Sequence, residues 1–197
     1  MGKPYASELD QLQEVYAWAF HLDVGRLADA VASLARAPLM VVGSGGSLTA
    51  AQVAVYLHQR FAQRLARAAT PLEVTSAAPL QEAGVLVVTA GGRNPDVIGA
   101  VRFLAEREPR ELSIVCAAIG TPLARVAKEY WYARFIDFRP PSGKDGFVAT
   151  NTLIATTVLL ARAYGLAYGN KADLPPAIEQ LFGGDAAFNT FLKTVCD

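Results

Sequence analysis

Chemistry-bearing side chains are scarce in this chain. It has 2 cysteines, 2 histidines, 2 methionines and 2 tryptophans among 197 residues, and each scarcity excludes something. Cys116 and Cys196 lie far apart in sequence, which rules out a disulfide framework and fits a reducing compartment. Without paired cysteines, a histidine pair at helical spacing or a loop cluster of carboxylates, neither a zinc nor a calcium pattern is present. No metal and no cofactor is therefore expected. An excess of one charge is missing too: 18 basic residues balance 18 acidic ones, so no overall field draws the chain to nucleic acid or an anionic membrane. Long apolar runs are absent, since the segment 147–163 is interrupted by Thr150, Asn151, Thr152, Thr156, Thr157 and Arg162, against a membrane span. Near the N-terminus Glu8, Asp10 and Glu14 follow Tyr5, unlike the basic and apolar blocks of a signal peptide. A cytoplasmic location is the expectation.

What is present is apolar. With 52% hydrophobic and 18% charged residues, the chain can bury a core as one domain or as a domain with extensions. β-rich runs at 39–42, 72–75, 85–89, 112–117 and 134–138 alternate with helical patterns at 7–20, 24–37, 48–66, 95–106, 123–130, 147–164, 175–182 and 185–196. Stops fall at Gly84 and Gly165, and Pro38, Pro71 and Pro109 punctuate the connections. Five strands joined by helices predict an open parallel sheet in a three-layer α/β/α sandwich. In such a sheet ligands bind beyond the C-terminal strand ends, at the switch in strand order. The informative loops are then 43–47, 89–96 and 140–151.

The first loop, Gly43-Ser44-Gly45-Gly46-Ser47, separates a buried strand from a helix. Its glycines allow close backbone approach, and a helix N-terminus favours an anion. A dinucleotide fingerprint would need a third glycine where Leu48 stands, and the P-loop lysine is missing, so a nucleotide is the outsider among ligands. A serine hydrolase is unsupported, because no G-x-S-x-G with a placed histidine occurs. Ser47 reads either as the helix N-cap or as a ligand contact, with Gly45 and Gly46 beside it. In the second loop Thr89, Gly91, Gly92, Arg93 and Asn94 precede Pro95. Asn94 caps a helix whose first residue is proline, contacts an anion, or does both, while Arg93 offers a charged contact. In the third loop Asp145 is either a helix cap or a carboxylate base. His58 and His21 sit in helices, where core or exposed roles are commoner than catalysis.

The order and spacing of these segments resemble a sugar isomerase (SIS) domain, as in the isomerase half of glucosamine-fructose-6-phosphate aminotransferase. The G-S-G-G-S loop with Leu48 and Ala50 is similar to the family's first glycine-serine loop, with Ser47 at its second serine. Segment 89–96 is similar to the phosphate loop S-x-S-G-x-T, except that Gly91 and Asn94 replace two hydroxyl donors. Segment 113–118 followed by Thr121-Pro122-Leu123-Ala124 resembles the strand and turn before the S-P-L-A helix start. Segment 146–152 resembles G-V-A-S-T-K, with Thr150 inside it and Asn151 where the lysine would fall; 174–181 resembles the close of the first such domain.

The resemblance implies a flavodoxin-like SIS domain at 38–168, a helical extension at 1–37, and a C-terminal helical segment at 169–197 leading to a second such domain. It implies a phosphosugar ligand and a homodimer or tandem pairing. The binding set is then Gly45, Gly46, Ser47, Thr89, Gly91, Gly92, Arg93, Asn94 and Thr150. The family's glutamate falls at or beside Lys144 and Asp145, making Asp145 the nearest carboxylate, and the ring-opening histidine is replaced by the stretch Gly169, Asn170, Lys171. The expected function is carbohydrate-derivative binding, with aldose–ketose isomerisation or aminosugar-phosphate chemistry. The alternative is a non-catalytic sugar-phosphate sensor, which needs the binding loops alone.

Overall fold

The computed structural model describes residues 4–76, 80–143, 145–146, 149–169 and 174–196. Aliphatic runs form β1 (Leu39–Val42), β3 (Gly84–Thr89) and β4 (Glu111–Cys116), and Arg134-Phe135-Ile136-Asp137 forms β5 (Arg134–Asp137), all close to their expected positions. The remaining strand is β2 (Ala66–Ala69), and all five pair in parallel in the order β2-β1-β3-β4-β5.

β2 corrects the sequence reading, which placed a strand at 72–75 and carried the preceding helix to residue 66. Residues Pro71–Thr75 form the short helix α5. Thr70 and Glu73 build a reciprocal capping box around Pro71 at the first turn, a local signal that outweighs the β propensity of Val74 and Thr75. Ala66–Ala69 carries almost no β signal of its own and becomes a strand by pairing as the sheet edge with β1.

Side chains alternate across the sheet with the period of two that parallel strands impose. Leu39, Val41, Leu86, Val88, Val115 and Ile136 join one core, with α1 (Tyr5–Leu9), α2 (Leu12–His21), α3 (Gly25–Leu34), α4 (Gly46–Ala62), α8 (Thr150–Ala167) and α9 (Asp185–Cys196) on that side. Met40, Val42, Val85, Val87, Leu112 and Ile114 join the other, with α5, α6 (Pro95–Glu106) and α7 (Pro122–Ala127). Three layers result, a flavodoxin-like α/β/α sandwich buried on both sheet faces. Among the described residues no helix is long and apolar enough to cross a membrane.

The expected helix 7–20 is broken into α1 and α2. At the break the Glu8 carbonyl accepts from Gln11 N–H at 3.2 Å and from the Asn151 side-chain amide at 2.9 Å. The turn sets α1 against the start of α8. The expected helix 175–182 is reduced to a 3₁₀ turn, Ile178–Phe182, while α9 has the expected bounds.

Candidate functional site

Two positions beyond the sheet's C-terminal edge receive the loops. The strand order switches between β1 and β3, and there the structure leaves a recess of about 10 Å³ lined by Gly46, Ser47, Ala50, Ala90, Ala149, Thr152, Leu153 and Thr156. That is room for about one water molecule. The main cavity, about 480 Å³, sits one step over, above β3, β4 and β5. Its walls are Ala90, Gly91 and Arg93 after β3; Ala117, Ala118 and Ile119 after β4; Arg139, Gly143, Asp145 and Gly146 after β5; and Ala149 and Thr152 of α8 and its cap. Ala90, Ala149 and Thr152 line both spaces, so three small side chains form the partition.

Of the residues singled out from the sequence, Gly91, Arg93 and Asp145 line the main cavity, and Gly46 and Ser47 line the recess. Gly45, Thr89, Gly92, Asn94 and Thr150 line neither, although each belongs to a loop or helix start that does. Ser47 is not the N-cap. α4 begins at Gly46 with Gly45 as its cap at φ 56°, ψ −132°, a conformation open to glycine and costly for other residues. The Ser47 and Leu48 N–H groups donate to the carbonyls of Ser44 (3.1 Å) and Gly45 (2.9 Å). Tight winding of this loop also demands Gly43, where a methyl group would lie 2.4 Å from the Ser47 carbonyl oxygen.

The loop after β3 is equally fixed. Thr89 Oγ1 accepts the Gly92 N–H at 3.3 Å, and Gly92 has φ +57°. The Gly92 carbonyl takes the Leu123 N–H at 3.1 Å, tying the loop to α7, whose own cap is Thr121. Asn94 Oδ1 accepts the Asp96 N–H at 2.8 Å and Pro95 has none to offer. The first-turn donors of α6 are thereby reduced, and Arg93 becomes the strongest anion attractor on this wall.

The third wall carries Asp145, which is 8% exposed. Its Oδ2 accepts the Thr152 N–H at 2.7 Å, while Oδ1 is buried without a hydrogen-bond partner among the described residues. The expected helix start at 147 lies outside the described residues; α8 begins at Thr150, and Ala149 supplies no side-chain cap. Asp145 performs that capping from the loop, close to the positive end of the helix dipole. Lys144, Asn170 and Lys171 lie outside the described residues.

Two residues at or behind the cavity wall carry no mark in the sequence. Arg139 lines the cavity directly after Phe138, whose N–H extends the ladder to Cys116 O at 3.0 Å and whose ring packs 6.0 Å from that of Trp18. Its position at the end of β5 was the available signal, since loops after strands carry the site. Glu8, only 1% exposed, accepts the Gly146 N–H through Oε1 and so reaches the neighbour of Asp145 from α1. Nothing local in the sequence joins residues 8 and 146.

The histidines stand elsewhere. His58 is fully buried, with Nε2 3.1 Å from the Ala37 carbonyl and Nδ1 3.2 Å from the Tyr164 hydroxyl. A carbonyl only accepts, so Nε2 carries the proton and Nδ1 accepts from Tyr164. Burial pushes its pKa below the ordinary value. His58 is thus a neutral core residue, His21 is exposed at the end of α2, and Cys116 is buried with its thiol pKa raised by desolvation.

No family model matches the chain. No curated protein matches it in sequence. Solved structures do match. The C-terminal domain of glucosamine-fructose-6-phosphate aminotransferase from Francisella tularensis superposes with TM-score 0.68 at 15% identity, over 98% of this chain and 53% of that one. The Vibrio vulnificus NanR protein complexed with ManNAc-6P gives TM-score 0.62 at 15% identity, covering 97% of this chain and 67% of that one. Glucosamine-6-phosphate deaminase from Thermotoga maritima gives 0.66 at 16% identity, over 85% of this chain and 49% of that one. The chain spans about half the length of the aminotransferase domain it matches. With its parallel strand order and these neighbours, the chain has the three-layer α/β/α SIS-like fold that these solved structures share.

Proposed function

We propose that this chain binds a phosphorylated sugar in the cavity above β3, β4 and β5. The observation that carries the reading is the joint presence of Arg93 and Asp145 on opposite loops of one space of about 480 Å³, a volume within the usual range for small-molecule sites. Arg93, on a backbone fixed by the Thr89–Gly92 hydrogen bond, takes the phosphate. The unpartnered Oδ1 of Asp145 takes a sugar hydroxyl, whose donation would satisfy a buried acceptor that is otherwise costly. Ala90, Ala117, Ala118 and Ala149 offer an apolar wall to the carbon skeleton. The ligand class is supported by a protein of this fold complexed with ManNAc-6P and by another named for its action on glucosamine 6-phosphate.

Aldose–ketose isomerisation would need Asp145 to move a proton between adjacent carbons, using the same free oxygen. A sensor would use that oxygen for binding alone. The capping bond to Thr152 favours the sensor, because a proton taken up by the carboxylate weakens a contact that holds α8. Calorimetric titration with glucose 6-phosphate, fructose 6-phosphate and glucosamine 6-phosphate tests binding, and saturable binding of at least one is expected. Following any ligand that binds by NMR for ketose or epimer formation then separates turnover from sensing. Failure of all three, alongside binding of the unphosphorylated sugars, contradicts the proposal.

A further inference from the structure

We infer that the ligand carries a second acidic group besides its phosphate, and that Arg139 receives it. This deepens the phosphosugar reading and rests on it. Arg93 and Arg139 both line the cavity, and among the described residues neither guanidinium is in an ion pair. Each rises from a fixed backbone. Arg93 follows Gly92, which is tied to Thr89 and α7. Arg139 stands between Phe138, held by the last ladder bond of β5, and the buried Pro140, whose ring restricts the preceding residue.

The two stems leave strands separated by β4. Two inter-strand spacings put the C-terminal ends of β3 and β5 about 10 Å apart, further than the oxygens of one phosphate span. Between them the loop after β4 contributes Ala117, Ala118 and Ile119, a floor without charge. Such a layout suits an acid at each end of a carbon chain laid across the floor, with Asp145 at the side for a hydroxyl. Electrostatics agree: among the cavity's described walls two cations face one carboxylate, and that carboxylate already accepts from the α8 backbone. A ligand whose only acid is its phosphate holds its charge at one end of this floor and leaves the guanidinium at the other end without an anionic partner. An aldonic acid phosphate has the required chemistry, with phosphate and carboxylate at the two ends of a hydroxylated chain.

Titration calorimetry with glucose 6-phosphate, 6-phosphogluconate and gluconate tests this on the full chain, as wild type, Arg139→Gln and Arg93→Gln. The expected result is that 6-phosphogluconate binds wild type about tenfold or more tighter than glucose 6-phosphate, the gain of one charge-assisted pair. Arg139→Gln should erase that preference, weakening 6-phosphogluconate about tenfold more than glucose 6-phosphate, while Arg93→Gln should weaken both phosphorylated ligands. Equal wild-type affinities for the two overturn the second-acid inference while the phosphosugar reading stands. Equal weakening of both by Arg139→Gln also overturns it, assigning Arg139 to the phosphate. Gluconate binding as tightly as 6-phosphogluconate overturns the phosphosugar reading itself. Arg139 is exposed and on the surface, and unchanged thermal unfolding of Arg139→Gln establishes that a lost preference comes from the site.

Discussion

Asp145 accepts the N–H of Thr152, seven residues further on, at 2.7 Å. One carboxylate oxygen thereby fixes the start of α8, and the other is buried on the wall of the main cavity with no partner among the described residues. Structure and chemistry meet in a single side chain. Asp145→Ala strands the Thr152 N–H and should destabilise the fold by about 1–3 kcal/mol. Asp145→Asn keeps an acceptor for that N–H and should lose less. Urea denaturation of both variants checks the order. If Asp145 also serves as a base, Asp145→Asn binds a sugar phosphate and shows no turnover.

Glu8 acts at one remove. Its carboxylate accepts the Gly146 N–H, and its carbonyl accepts the Asn151 side-chain amide. Glu8→Ala should cost about 1–3 kcal/mol through the unpaired donor it leaves and should lower sugar-phosphate affinity by loosening the loop beside Asp145. Glu8→Gln retains an acceptor and should restore much of both. A variant pair equal to wild type in calorimetry and denaturation would show that α1 does not position the loop.

The neutral His58 makes stability depend on pH. Burial holds its pKa below the usual value of 6.5, so between the two the unfolded chain binds a proton that the native protein does not. Stability is complete above pH 6.5 and falls as pH is lowered through it, by up to about 1.4 kcal/mol per pH unit. Denaturation midpoints at pH 7.5 and 5.5 should show this loss in wild type. His58→Gln, less stable overall, should show a smaller loss over the same interval.

Two glycines are required by their neighbours. A methyl group at Gly43 would meet the Ser47 carbonyl oxygen at 2.4 Å, and one at Gly92 would lie 2.7 Å from Thr121 Oγ1 on a backbone with φ +57°. Gly99, by contrast, has open space on its helix. Gly43→Ala and Gly92→Ala should destabilise by about 1–3 kcal/mol or more through strain and clash, and Gly99→Ala should stabilise by about 0.5–1 kcal/mol. Thermal unfolding of the three separates these cases.

Much of the sandwich was legible because the central strands β1, β3 and β4 are mostly aliphatic and end in loops with turn residues. β2 escaped notice because Ala66–Ala69 has no intrinsic preference that outweighs the long helix before it, and its identity comes from pairing with β1. The capping box of Thr70 and Glu73 was readable and was overridden by the β-branched residues of α5. At the site, Arg93 and Asp145 were legible as polar residues in loops after strands. Of the two roles open to Ser47, the cap fails although hydroxyl residues favour that position, because this turn needs the positive φ of Gly45 there. The closure of the recess beside Ser47 was invisible, since it depends on Ala149 and Thr152 from a distant helix. Arg139 was missed because a lone arginine after a strand has no motif, and Glu8 because its contact with Gly146 crosses the whole fold.

The most direct test is an amide NMR titration of the isotopically labelled chain with a sugar phosphate that calorimetry shows to bind. The account requires the largest shifts at Gly91, Gly92, Arg93, Asp145 and Gly146, around the main cavity. Shifts confined to other surfaces, or an equal response to the unphosphorylated sugar, would contradict it.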